Sequence, residues 1–122
     1  MTANEYQSKA HTFADYVKPV CYEGFGDRIE MYNVDWVYPA LGLAEEAGEV
    51  SGKFAKAVRD DIGRISDDRR EAIKKELGDV CWFVAELSTL MGFTLEDVMQ
   101  SNIDKLTSRK ERGVIHGSGD ER

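Results

Sequence analysis

Two stretches of this chain repeat one pattern in helical register, and together they leave few folds open. Leu43, Ala47, Val50 and Phe54 recur at three- and four-residue spacing, as do Ile73, Leu77, Val80, Val84, Leu87 and Met91. Each series makes the apolar stripe of an amphipathic helix. Between them stand Ile62-Gly63, a stop signal, and Ser66, Asp67 and Asp68, which are good N-caps. Two helices joined so briefly pack side by side. Each stripe also has the same acidic flank. At 100° per residue from Leu43, Glu46 falls at about 300° and Glu49 at about 240°, with Gly42 and Lys53 between them; measured from Ile73, Glu76 and Asp79 take the same two positions.

The remaining elements follow from local signals. A first helix is expected over 2–17, with Thr2 and Glu5 as a capping box and Tyr6, Ala10, Phe13 and Val17 on one face. Residues 18–35 read as a long irregular connection, broken by Gly24, Gly26 and Asn33 and rich in aromatics. No strand is expected. The second and third helices span 36–61 and 67–91, and a fourth, capped by Thr94, spans 95–112. The expected fold is all-α, a compact four-helix bundle over 1–112 followed by a glycine-rich, mobile tail at 113–122. Gly42, Gly48, Gly52 and Gly78 lie within helices, where glycine costs about 1 kcal/mol relative to alanine, so close backbone packing is expected near them.

Composition narrows the function. The 122 residues carry 23 acidic against 16 basic side chains, a formal charge of -7. That excludes the basic footprint of a nucleic-acid polymer binder. No apolar run approaches the ~20 residues of a membrane span, and no secretory signal stands at the N-terminus. Cys21 and Cys81 are too far apart in sequence to form a ligand-spaced pair, so reduced thiols in a cytoplasm are expected.

The acidic flanks are where chemistry is expected. One Glu-x-x-Glu pair on an acidic helix is commonly a solvated face. Two such pairs in matched register, brought to one seam, repel each other unless cations neutralise them or protons are taken up. A donor set of oxygens alone suits hard Mg²⁺, with Mn²⁺ as a substitute. A di-iron bundle would add Glu-x-x-His motifs, and His11 and His116 do not supply them. Lys53, one turn after Glu49, either reaches a phosphate or forms an i,i+4 pair with that glutamate. Asn102, Lys105 and Arg109 share one face of the fourth helix, either as anion contacts or as a solvated basic helix end. Trp36, Tyr32 and Tyr38 are candidates for stacking on a base or for plugging the bundle.

At these residues the chain resembles the MazG-like, all-α nucleoside triphosphate pyrophosphohydrolases, in particular the compact single-domain members of phages and bacteria. The family pattern EExxE followed by ExxD reads Glu45-Glu46-x-x-Glu49 and Glu76-x-x-Asp79. The resemblance runs from about 36 to 112, including Tyr38-Pro-Ala-Leu-Gly-Leu-Ala, Leu-Gly-Asp-Val-Cys-Trp-Phe-Val-Ala and Asn102-x-x-Lys105-x-x-x-Arg109. It implies Mg²⁺-dependent hydrolysis of (deoxy)nucleoside triphosphates to the monophosphate and pyrophosphate, in a homodimer or homotetramer. It places the metal ligands at Glu46, Glu49, Glu76 and Asp79, with Asn102, Lys105 and Arg109 as nucleotide contacts. Glu45 matches the first motif glutamate. At about 200° on the wheel it turns away from the stripe, so it either handles the attacking water or holds a further metal. Two readings compete with an enzyme. One is a non-catalytic helical module that binds nucleotide or metal; the other is a plain helical dimerisation protein.

Overall fold

The structure, a computed structural model, describes residues 1–119; residues 120–122, the end of the expected tail, and the side chains of Phe25 and Arg28 lie outside the description. Helix α1 is Ala3–His11, strands β1 and β2 are Val20–Phe25 and Arg28–Asn33, and helices α2, α3 and α4 are Val37–Asp61, Asp67–Leu90 and Leu95–Glu111. The four helices carry the fold, as the apolar stripes require.

The helix starts are set by side-chain caps. Thr2 accepts from the Glu5 N–H while Glu5 accepts from that of Thr2. Ser66 and Thr94 accept from the N–H groups of Arg69 and Asp97. Helix α2 ends on Ile62, left-handed at φ 55°, followed by Gly63 at φ 79°, and the chain turns straight into α3.

Helices α2 and α3 run antiparallel, because contacts between them pair rising with falling numbers. Gly42 meets Phe83, Lys53 meets Glu76 and Asp61 meets Arg69. Helix α1 lies across α3 and α4. Trp82 Nε1 donates to the Ala10 carbonyl, Gln7 donates to Thr89 and Phe93, and Asn4 clamps Glu96. Ala10, Ala85 and Leu95 form the buried centre of that layer, with Tyr6, Trp82 and Val84 around it. Helix α4 packs on α1 and α3 and not on α2 among the described residues.

The first helix stops at His11, six residues short of the expectation. Phe13 and Val17, read as its continuing stripe, are 74% and 83% exposed. Beyond His11 the chain turns and carries Tyr16 down to Glu86. The supposed irregular connection contains a β-hairpin, paired from Val20↔Asn33 to Phe25↔Arg28. Gly26-Asp27 is its two-residue turn, with Gly26 at φ 61°. Its strands pack on each other and on no helix among the described residues.

The meeting face of the helix pair is also rotated from the expected one. Ala47, Phe54, Leu77 and Met91 of the apolar stripes are exposed. Across the seam Gly42 meets Phe83, Glu46 meets Glu76 and Asp79, and Lys53 meets Glu76, while Pro39, Ala57 and, from the expected stripe, Ile73 are buried. Gly42 lets the Phe83 ring lie against the α2 backbone. Gly48, Gly52 and Gly78, by contrast, have open space where a side chain would go. The tail, read as mobile, folds back as far as it is described: Arg109 Nη2 donates to the Gly119 carbonyl at 3.3 Å.

Candidate metal centre

The seam brings three carboxylates together. Glu46 of α2 and Glu76 and Asp79 of α3 each offer an oxygen, and all of these lie within 4.8 Å of one another. Glu76 and Asp79 are three apart and so share a face of α3, while Glu46 faces them from the antiparallel partner. Burial, with the charges of Asp79, Glu76, Glu45 and Glu49, pushes the Glu46 carboxyl above the ordinary carboxylate range. Such a cluster is poised for a cation or a proton. Oxygen donors alone, partly open to solvent, fit Mg²⁺ or Mn²⁺, which keep waters and take substrate phosphates as further ligands.

Glu49 is not one of the three converging carboxylates. It is exposed, one turn along α2, and acts on Glu46 and Lys53 through its charge. Glu45 is exposed as well. Lys53 pairs across the helices with Glu76, Nζ to Oε1 at 2.8 Å. This is neither of the two partners considered from the sequence. The hydrogen bond to Glu76 is the first cause that raises the Lys53 ammonium above its ordinary value.

Beside the carboxylates opens a cavity of about 320 Å³, lined by Tyr38, Glu46, Asp79, Trp82 and Phe83. Its aromatic wall is ordered by ring contacts: Phe83 meets Tyr38 edge-on at 5.8 Å and Trp82 at 4.8 Å. Tyr16 backs Tyr38 at 5.1 Å, and the Tyr16 hydroxyl donates to Glu86 Oε1 at 2.7 Å. His11 Nδ1 lies 2.8 Å from the other oxygen of Glu86, which is 0% exposed. Burial, then the hydrogen bond to Glu86, pushes the Tyr16 phenol up. The sequence did contain a signal for Glu86. It stands seven residues after Asp79, so Glu76, Asp79, Phe83 and Glu86 continue one face of α3.

Other expected contacts lie elsewhere. Asn102 and Lys105 line a separate cavity with Phe93, Asp97, Val98 and Ser101. Arg109 is buried and bonded to the tail. Trp36 sits at the start of α2, largely exposed, and is not among the residues around the acidic cavity. Among the described residues no helix is long and apolar enough to cross a membrane.

Comparison with known proteins shows what the chain is similar to. The Gene 37 protein of Mycobacterium phage L5 is 45% identical over 101 residues, covering 83% of this chain and 87% of that protein. The uncharacterized protein YvdC of Bacillus subtilis (strain 168) is 41% identical over 78 residues, 57% of this chain and 70% of that protein. No solved structure gives a significant match. Residues 39–114, which hold all three converging carboxylates and the aromatic wall from Trp82 to Phe83, match the MazG nucleotide pyrophosphohydrolase domain, and the chain belongs to that family.

Proposed function

We propose that this protein hydrolyses (deoxy)nucleoside triphosphates to the monophosphate and pyrophosphate in a Mg²⁺-dependent reaction, as a cytoplasmic guardian of the nucleotide pool. The observation that carries the reading is the convergence of Glu46, Glu76 and Asp79 within the segment that matches the family. Residues 1–112 are taken as the catalytic unit, with 113–122 appended to it.

In this reading Glu46, Glu76 and Asp79 would hold Mg²⁺, or Mn²⁺ in its place, and Glu49, whose charge acts on Glu46, would join them through a water. The ion supplies charge screening for the phosphates and acidifies a water. The chain's own residues do the rest. Glu45 and Glu49, both exposed and acting on Glu46 through their charges, would orient the attacking water and take its proton. Lys53 offers an ammonium to a phosphate oxygen. The wall of Tyr38, Trp82 and Phe83 gives a base or sugar an apolar surface beside the carboxylates and limits water there.

Asn102 and Lys105 line a different cavity from the carboxylates, and in this reading they reach the nucleotide from α4 of a second copy of the chain. The proposed homodimer or homotetramer is supported by the apolar side chains left uncovered on Leu41, Phe54, Val58 and Leu77. Trp36, exposed at the start of α2, is proposed to meet the base only when substrate is bound, and Arg109 holds the tail.

The test is product analysis. The protein is incubated with a panel of dNTPs and NTPs, with Mg²⁺ and with EDTA. Equimolar monophosphate and pyrophosphate with Mg²⁺, and neither with EDTA, is the expected result. No turnover of any nucleotide overturns the proposal in favour of a binding module.

A further inference from the structure

Glu76 is a ligand with a prior claimant. Its Oε1 lies 2.8 Å from Lys53 Nζ, and 25% and 19% of the two side chains are exposed. The same carboxylate contributes an oxygen to the group of three. An ammonium and a divalent cation are alternative counter-charges for one carboxylate, and they repel each other at that range. Lys53 is also the cation the structure sets against this cluster from within α2, with Glu49 as its other acidic neighbour. Its four-carbon stem lets Nζ move several ångströms without any change in the helix.

We propose that Lys53 is an exchangeable counter-ion of the carboxylate cluster, giving up Glu76 to the divalent cation and turning its freed ammonium to a phosphate oxygen of the nucleotide. This rests on the reading of the cluster as a metal centre for a nucleoside triphosphate. It goes further in making one residue act with opposite signs on the two ligands. Lys53 weakens metal binding on its own and strengthens nucleotide binding once the metal is in place. A lysine that only buttressed Glu76 would support both.

The experiment measures Mn²⁺ affinity by the EPR signal of the free ion, at fixed ionic strength, for wild type, Lys53→Met and Lys56→Met. Lys56 is exposed on the same helix and controls for the loss of one charge. Lys53→Met is expected to bind Mn²⁺ roughly fivefold more tightly, the scale of a partly exposed ion pair, while Lys56→Met stays near wild type. With Mn²⁺ saturating, an α,β-imido deoxynucleoside triphosphate is expected to bind Lys53→Met about tenfold more weakly. Mn²⁺ binding unchanged or weakened in Lys53→Met overturns the exchange and leaves the metal centre standing. Absence of saturable Mn²⁺ binding to wild type overturns the metal centre and the exchange together. A second readout needs no substitution near the site. In ¹⁵N spectra of the wild type, the protected Lys53 ammonium signal is expected to vanish as Mg²⁺ saturates the protein, and its persistence contradicts the proposal.

Discussion

The ring of Phe83 occupies the space that a side chain at Gly42 would need. A methyl group placed on Gly42 would collide with the far edge of that ring, which cannot retreat without disturbing its contacts to Tyr38 and Trp82. Gly42→Ala therefore sets about 1 kcal/mol of helix propensity against overpacking that typically costs 1–3 kcal/mol. The expected outcome is a net loss of about 1 kcal/mol in urea denaturation, together with weaker nucleotide binding. Gly52→Ala, with open space around it, is expected to gain up to about 1 kcal/mol. Equal effects at the two sites would contradict the role given to Gly42.

A second prediction concerns the support behind the aromatic wall. Tyr16→Phe keeps the ring against Tyr38 and removes one hydrogen bond to the fully buried Glu86. Leaving a buried carboxylate short of a donor costs about 1–3 kcal/mol. Thermal unfolding of Tyr16→Phe should show that loss, whereas Tyr22→Phe, on the exposed hairpin, should behave as wild type.

The helix pair was legible in the sequence because period, cap and stop signals agreed over long stretches. Ser66 and Thr94 cap where expected, and α2 and α3 fall within a residue or two of their forecast bounds. The direction in which the pair faces was not legible. A helical wheel ranks faces by apolar content, and here the apolar stripe is left partly exposed while a glycine and an aromatic ring draw the acidic flank inward. Glu46, Glu76 and Asp79 converge there while Glu49, at the wheel position that Asp79 holds on its own helix, is not in the group. The hairpin was hidden because Gly24, Gly26 and Asn33 read as breakers, although Ile29-Glu30-Met31-Tyr32 alternates and Gly26-Asp27 is a hairpin turn. The Glu86 network joins α1 to α3 across 70 and 75 residues, a separation that no local pattern reports.

A third prediction follows from the raised Glu46 carboxyl. Its folded-state value lies above its unfolded one, so its contribution to stability is fully present below the unfolded value. That contribution is lost as pH rises through the folded value. With EDTA present, the ionised form of Glu46 therefore works against folding. Glu46→Gln is expected to raise the melting temperature there by roughly 2 °C. The gain should fade as pH falls below the ordinary carboxylate range, and should disappear when Mg²⁺ is added at pH 7. A gain that is constant across pH would point to packing rather than charge.

The most direct test of the central claim is the rate of pyrophosphate release from a dNTP at saturating Mg²⁺ for Asp79→Asn, beside Asp104→Asn as a control. Asp79 belongs to the converging three, whereas Asp104 is exposed on α4 and bonded to Gln100. The cluster account predicts a loss of at least about a hundredfold for Asp79→Asn, with its fold intact and Asp104→Asn near wild type. Wild-type rates in folded Asp79→Asn would contradict it.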